Sequence, residues 1–80
     1  MAMDSAKIFG QVLRDLRDQR DLSQARLAEL TGLDRTYISL LERGLRQPTL
    51  GTLLVLAKAL DVSLVSMAKA IEAQVMHDRK

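Results

Sequence analysis

Residues 35–47 read RTYISLLERGLRQ, and they hold three arginines, two hydroxyls and the chain's only tyrosine. A guanidinium offers two parallel donors, which match guanine O6 and N7 or two oxygens of a phosphate. Threonine and serine hydroxyls bond base edges or phosphates, and a phenol reaches phosphate. At about 100° per residue, a helix that turns Ile38 and Leu41 inward turns Thr36, Ser39, Leu40 and Arg43 outward. Arg35 and Tyr37 then flank its first turn. A solvated surface helix needs no such set, although helix hydroxyls also bond back to their own backbone.

The rest of the chain offers little other chemistry. It has no cysteine, so neither a disulfide framework nor a thiolate metal site is available. The single histidine, His77, lies near the C-terminal end without carboxylate or thiol company and reads as solvent-exposed. There is no glycine-rich phosphate loop and no carboxylate pair suited to a cleft, and the acids scatter over caps and helix faces. No catalytic centre, metal site or cofactor is expected. Net charge is only +2, but eight of the twelve cations are arginine. The stretch from Arg35 to Lys58 carries four cations against one acid, Glu42. That bias points to a polyanion.

Positioning these groups falls to short helices. With 80 residues, 48% of them apolar, and one proline, the chain reads as a single all-α domain. Helix 1 is expected from about Ala6 to Gln19 with Ser5 as N-cap, and Phe9, Val12, Leu13 and Leu16 on its inner face. Ser23 caps helix 2, with Leu22 and Leu27 as a hydrophobic staple, and Gly32 ends it. Asp34 caps helix 3, with Leu33 and Ile38 repeating the staple, and Gly44 stops it. Arg46-Gln47-Pro48 is a connector. Thr49 caps helix 4, roughly Leu50–Leu60, whose nearly all-round apolarity places it at the centre of the domain. Asp61 breaks it, Val62 and Met67 form a third staple, and Ser63 caps helix 5. The polar tail MHDRK is expected to fray. The core spans 6–73.

The Leu33-Asp34 turn after Gly32 forces helices 2 and 3 to cross steeply, with Ala28 as the small residue at the crossing. Gln24, Ala28, Gly32, Ile38 and Leu41 resemble the helix-turn-helix pattern of the phage repressor and Cro family, also called XRE-like. LSQARLAELTGLDRTYISLLERG, followed by QPTLGTLLVLAKALDVS, is similar to that family over Phe9 to Met67. The compact length and DRTYIS also resemble the controller proteins of restriction–modification systems, as a secondary resemblance.

The resemblance implies a compact five-helix, lambda-repressor-like fold with its helix-turn-helix at 23–44. It implies a homodimeric transcription regulator that reads an inverted repeat in double-stranded DNA. Gln24 matches a family position that contacts the DNA backbone. Arg35, Thr36 and Ser39 match positions facing the major groove, and Tyr37 one that reaches the backbone or a neighbouring base. Arg43, Arg46 and Gln47 fall where backbone contacts follow the recognition helix. Arg17 and Glu42 match a structural ion pair between helices 1 and 3. Leu40 departs from the pattern, because several relatives place a polar base reader there.

Leu64, Ala68, Ile71 and Val75 form a stripe on helix 5, flanked by Val65, that runs further than a monomer core requires. A twofold dimer is the expected use. The other reading of the whole chain is a protein-interaction adaptor that keeps the fold without reading DNA, and the cationic outer face of helix 3 argues against it. No effector pocket or sensor domain is signalled. The N-terminus lacks a signal-peptide pattern and no apolar run is long enough to span a bilayer, so a cytoplasmic location is expected.

Overall fold

The computed structural model describes residues 3–78 as five helices: α1 (Ser5–Gln19), α2 (Gln24–Thr31), α3 (Arg35–Glu42), α4 (Leu50–Ala59) and α5 (Leu64–Asp78). Arg79 and Lys80, the end of the tail expected to fray, lie outside the described residues. Met76 to Asp78 continue α5 as helix, so the polar tail begins later than its composition suggests.

The caps follow local hydrogen-bond chemistry. The side chains of Ser23, Asp34 and Thr49 accept from backbone N–H groups in the first turns of α2, α3 and α4. Ser63 does the same for Ser66 at 2.9 Å. One cap differs from expectation: Asp4, not Ser5, caps α1 by accepting from the Lys7 amide. Asp and Ser are equally good caps. The charged residue takes the position, and Ser5 Oγ instead accepts from the Gln47 amide.

Three of the four connections use one closing geometry. Gly44 N–H bonds the Leu41 carbonyl and Leu45 N–H the Leu40 carbonyl, satisfying two orphan acceptors at the end of α3. Asp21 and Leu22 repeat the pattern after α1, as do Asp61 and Val62 after α4. The left-handed residue is glycine at position 44 but aspartate at 21 and 61, with φ of 54° and 56°. The fourth connection is the tight turn between α2 and α3. Gly32 is left-handed at φ 75°, and Thr31 Oγ1 both donates to the Leu27 carbonyl and accepts from Leu33 N–H.

Phe9, Leu13, Leu27, Ile38, Leu41, Leu56, Ala57, Leu60 and Met67 form the core. Each fully buried large side chain among them contributes about 1.5–3 kcal/mol of burial free energy. α1 packs on α3 and α5, while α2 lies between α3 and α4.

α4 is not central. Only Leu56, Ala57 and its cap Leu60 are buried, whereas Leu50, Leu54 and Val55 face outward at 65%, 50% and 40% exposure. The chain bends by 106° between α4 and α5, and the two helices pack against each other. Among the described residues no single helix is long and apolar enough to cross a membrane.

Candidate functional site

The site is built from the end of α1, the start of α2 and the whole of α3. Glu42, near the end of α3, has a fully buried carboxylate. Burial is the largest single influence on it and favours the neutral form, but its partners outweigh that penalty. Arg17 of α1 donates through Nε to Oε2 at 2.6 Å and through Nη2 to Oε1 at 2.9 Å. Gln24 of α2 donates to Oε1 at 3.1 Å. The carboxyl is therefore held below its ordinary pKa, and its bond to Arg17 raises the guanidinium above its own. Arg17 also donates from Nη1 to the Leu22 carbonyl at 2.8 Å, which pins the α1–α2 connection. One ionic centre thus fixes three helices.

Above this centre, Gln24, Arg35, Thr36 and Ser39 line one shallow concavity of about 300 Å³. The helix-turn-helix geometry therefore brings the three α3 residues to the first residue of α2. Arg35 and Thr36 are exposed and Ser39 half-buried. Gln24 is not free to swing, because its Nε2 is bound to Glu42. Its Oε1 and second N–H remain for the concavity.

Tyr37 stands apart from this group. Its ring packs against the core and its hydroxyl lies 3.5 Å from Thr52 Oγ1, at the start of α4. Arg43, the C-cap of α3, is exposed, as is Arg46 in the following loop. Gln47 is exposed too, but its amide is engaged with Ser5. Leu40 is half-buried at the far turn of α3, where its carbonyl accepts from Leu45 N–H.

The arginines divide by pairing. Arg14, Arg17, Arg20 and Arg26 each lie within 4 Å of a carboxylate. Arg35, Arg43 and Arg46 make no ion pair or side-chain hydrogen bond among the described residues. The three arginines without a pair all belong to α3 and its C-terminal loop; Lys7, Lys58 and Lys69, on α1, α4 and α5, also make no ion pair among the described residues.

On α5, Leu64, Val65 and Ala68 are exposed, while Ile71 packs against the core and Val75 is half-buried. The helix 5 stripe is therefore shared between core and surface. Besides Leu64 and Val65, the exposed large apolar side chains include Leu50, Leu54 and Val55 of α4, which the apolar pattern of that helix assigns to the interior.

Residues 13–66 match the helix-turn-helix family pattern. Control protein C.SmaI of Serratia marcescens is 49% identical over 61 residues, covering 76% of this chain and 73% of that protein. The restriction–modification controller protein C.AhdI of Aeromonas hydrophila is 47% identical, with a TM-score of 0.74 over 78% of this chain and 94% of that one. A structure of the controller protein C.Esp1396I superposes with a TM-score of 0.87 at 29% identity, over 95% and 96% of the two chains. A 10 kDa control-region protein of Bacillus phage phi105 is 32% identical over 76 residues, 95% of this chain and 83% of that protein. The two resemblances read from the sequence therefore rank the other way round: controller proteins are the stronger likeness and phage repressors the weaker.

Proposed function

Because the chain belongs to the helix-turn-helix family of DNA-binding regulators, we propose that it is a controller-type transcription regulator acting as a homodimer on an inverted-repeat operator. The observation that carries this reading is the segregation of unpaired arginines. Arg35, Arg43 and Arg46 stand without acids along α3 and its C-terminal loop, while every described arginine before residue 30 has one, and a polyanion is the partner that bidentate donors so placed suit. With α3 in the major groove, Arg35, Thr36 and Ser39 reach base edges, while Gln24, Arg43 and Arg46 reach phosphates. Tyr37 buttresses α3 against α4 and offers its hydroxyl to the backbone. Gln47 would have to release Ser5 to join them.

The exposed apolar surface at the bend between α4 and α5 supports self-association. Exposed Leu54 and Val55 of α4 and Leu64 and Val65 of α5 add to the half-buried Ile71 and Val75, and a twofold interface built on such a surface would be self-complementary. Two copies would set their α3 helices roughly 34 Å apart, one turn of DNA. The relative C.Esp1396I is known as a tetramer on its natural 35 base-pair operator, which suits a reading in which dimers also occupy adjacent sites.

A fluorescence-anisotropy titration of labelled random duplex from low to moderate salt tests the proposal. Affinity should fall steeply with salt through counterion release. Absence of salt-sensitive binding at low ionic strength would leave the fold as a protein-interaction module.

A further inference from the structure

The sequence places Arg14 on the outward side of α1, away from the apolar stripe, and gives it no role. The structure sets its Nε 3.6 Å from Glu42 Oε1, with half of its side chain exposed. That carboxylate oxygen does not need it. Its two lone pairs are already met by Arg17 Nη2 at 2.9 Å and Gln24 Nε2 at 3.1 Å. Oε2 is taken by Arg17 Nε. Of the two acids in this part of α1, Asp18 leans on Arg17 Nη1 at 3.7 Å and Asp15 accepts from Gln11 Nε2 at 2.9 Å. Arg14 therefore has a coulombic neighbour but makes no hydrogen bond among the described residues, and both its Nη groups remain available.

Its location gives those donors a target. Arg14 and Gln24 share one oxygen of Glu42, and Gln24 lines the concavity with Arg35, Thr36 and Ser39. Arg14 thus stands at the α1 rim of the candidate DNA face, outside the helix-turn-helix itself. Arg43 and Arg46 follow Glu42 at the C-terminal end of α3. Resting on the DNA reading proposed above, we infer that Arg14 is a phosphate contact. It holds the duplex from the α1 side while Arg43 and Arg46 hold it from the loop. Glu42 is its resting position in the free protein, and Arg17 keeps that carboxylate satisfied when Arg14 leaves.

The test is the salt dependence of binding for wild type, Arg14→Gln and Arg14→Lys, on random duplex and on a duplex selected by the wild type. Arg14→Gln should reduce the slope of log affinity against log salt by about 0.9 per protomer on both duplexes. At 0.1 M salt affinity should drop about tenfold per protomer, with base preference unchanged. Arg14→Lys should restore the slope. A wild type that binds, with an Arg14→Gln slope equal to its own, overturns this inference alone, as does a reduced slope that Arg14→Lys fails to restore. A wild type without salt-sensitive binding overturns the DNA reading and this inference together.

Discussion

Gly10 of α1 lies so close to Leu41 of α3 that a Cβ on the glycine would come within 2.5 Å of the Leu41 carbonyl oxygen. The Glu42 carbonyl oxygen would be 2.6 Å away. Both obstacles are backbone, so neither can move without shifting a helix. This approach lets Arg17, two turns further along α1, reach the Glu42 carboxylate.

Gly10→Ala should therefore destabilise the domain by about 1–3 kcal/mol, the range for overpacking a tight core. Gly51→Ala is the opposite case. Its nearest neighbour is Thr49 Oγ1 at 3.7 Å, and that variant should be stabilised by up to about 1 kcal/mol from helix propensity. Urea unfolding of the two variants checks the contrast. Equal, stabilising effects would show that α1 and α3 do not approach this closely.

The Arg17–Glu42 centre has a pH signature. The Glu42 pKa is lowered in the folded protein, so its contribution to stability is present above the unfolded value of about 4.5 and is lost as pH falls through the lower folded value. Arg17→Met leaves a buried carboxylate with only Gln24 and the more distant Arg14, at a cost of about 3–5 kcal/mol near neutral pH. In that variant the burial that favours the neutral carboxyl loses its main counterweight, Arg17. The penalty should then shrink as pH falls toward 4.5, where the carboxyl can be neutral. Thermal unfolding from about pH 7 to about pH 4 distinguishes the two, and parallel curves would count against the pairing.

The apolar surface at the α4–α5 bend should behave as an interface. Leu54→Glu or Val65→Glu alters exposed positions, so each should leave the monomer fold within about 0.5 kcal/mol of wild type. Each should convert a dimer to a monomer by sedimentation and weaken operator binding. A wild type that is monomeric at tens of micromolar, or variants that still dimerise, would place the interface elsewhere.

Much of this architecture is legible in the amino-acid sequence itself. Ser23, Asp34 and Thr49 announce three helix starts because their side chains accept first-turn amides, and Gly32 and Gly44 announce left-handed ends. The features that escape a sequence reading do so for identifiable reasons. Asp4 and Ser5 are adjacent residues of equal capping power, so composition cannot choose between them. The left-handed turns at Asp21 and Asp61 use aspartate, which tolerates that conformation without signalling it as glycine does. The apolar girth of α4 misleads because a helix buried all round and one with apolar side chains left on its outer side share a pattern. Gly10 gives no sign because its role depends on the path of another helix. The position of Arg14 beside a distant glutamate is invisible for the same reason.

Arg35 and Arg46, two of the unpaired arginines, should separate by role. Arg35→Ala should cost about 1–3 kcal/mol on the preferred duplex and relax preference at one base pair per half-site. Arg46→Ala should weaken all duplexes alike and lower the salt slope by about 1 per protomer. Competition titrations with matched and mismatched duplexes check both. A uniform loss for Arg35→Ala would make it a phosphate contact.

The central claim is that the outer face of α3 reads base sequence in two copies at once. Selection from a randomised duplex library, followed by sequencing, measures this directly for wild type and Arg35→Ala in parallel. The wild type should enrich a short inverted repeat with half-site centres about one helical turn apart, and Arg35→Ala should lose preference at symmetric positions in both halves. Enrichment of no sequence, or of an asymmetric site unaffected by Arg35→Ala, would contradict it.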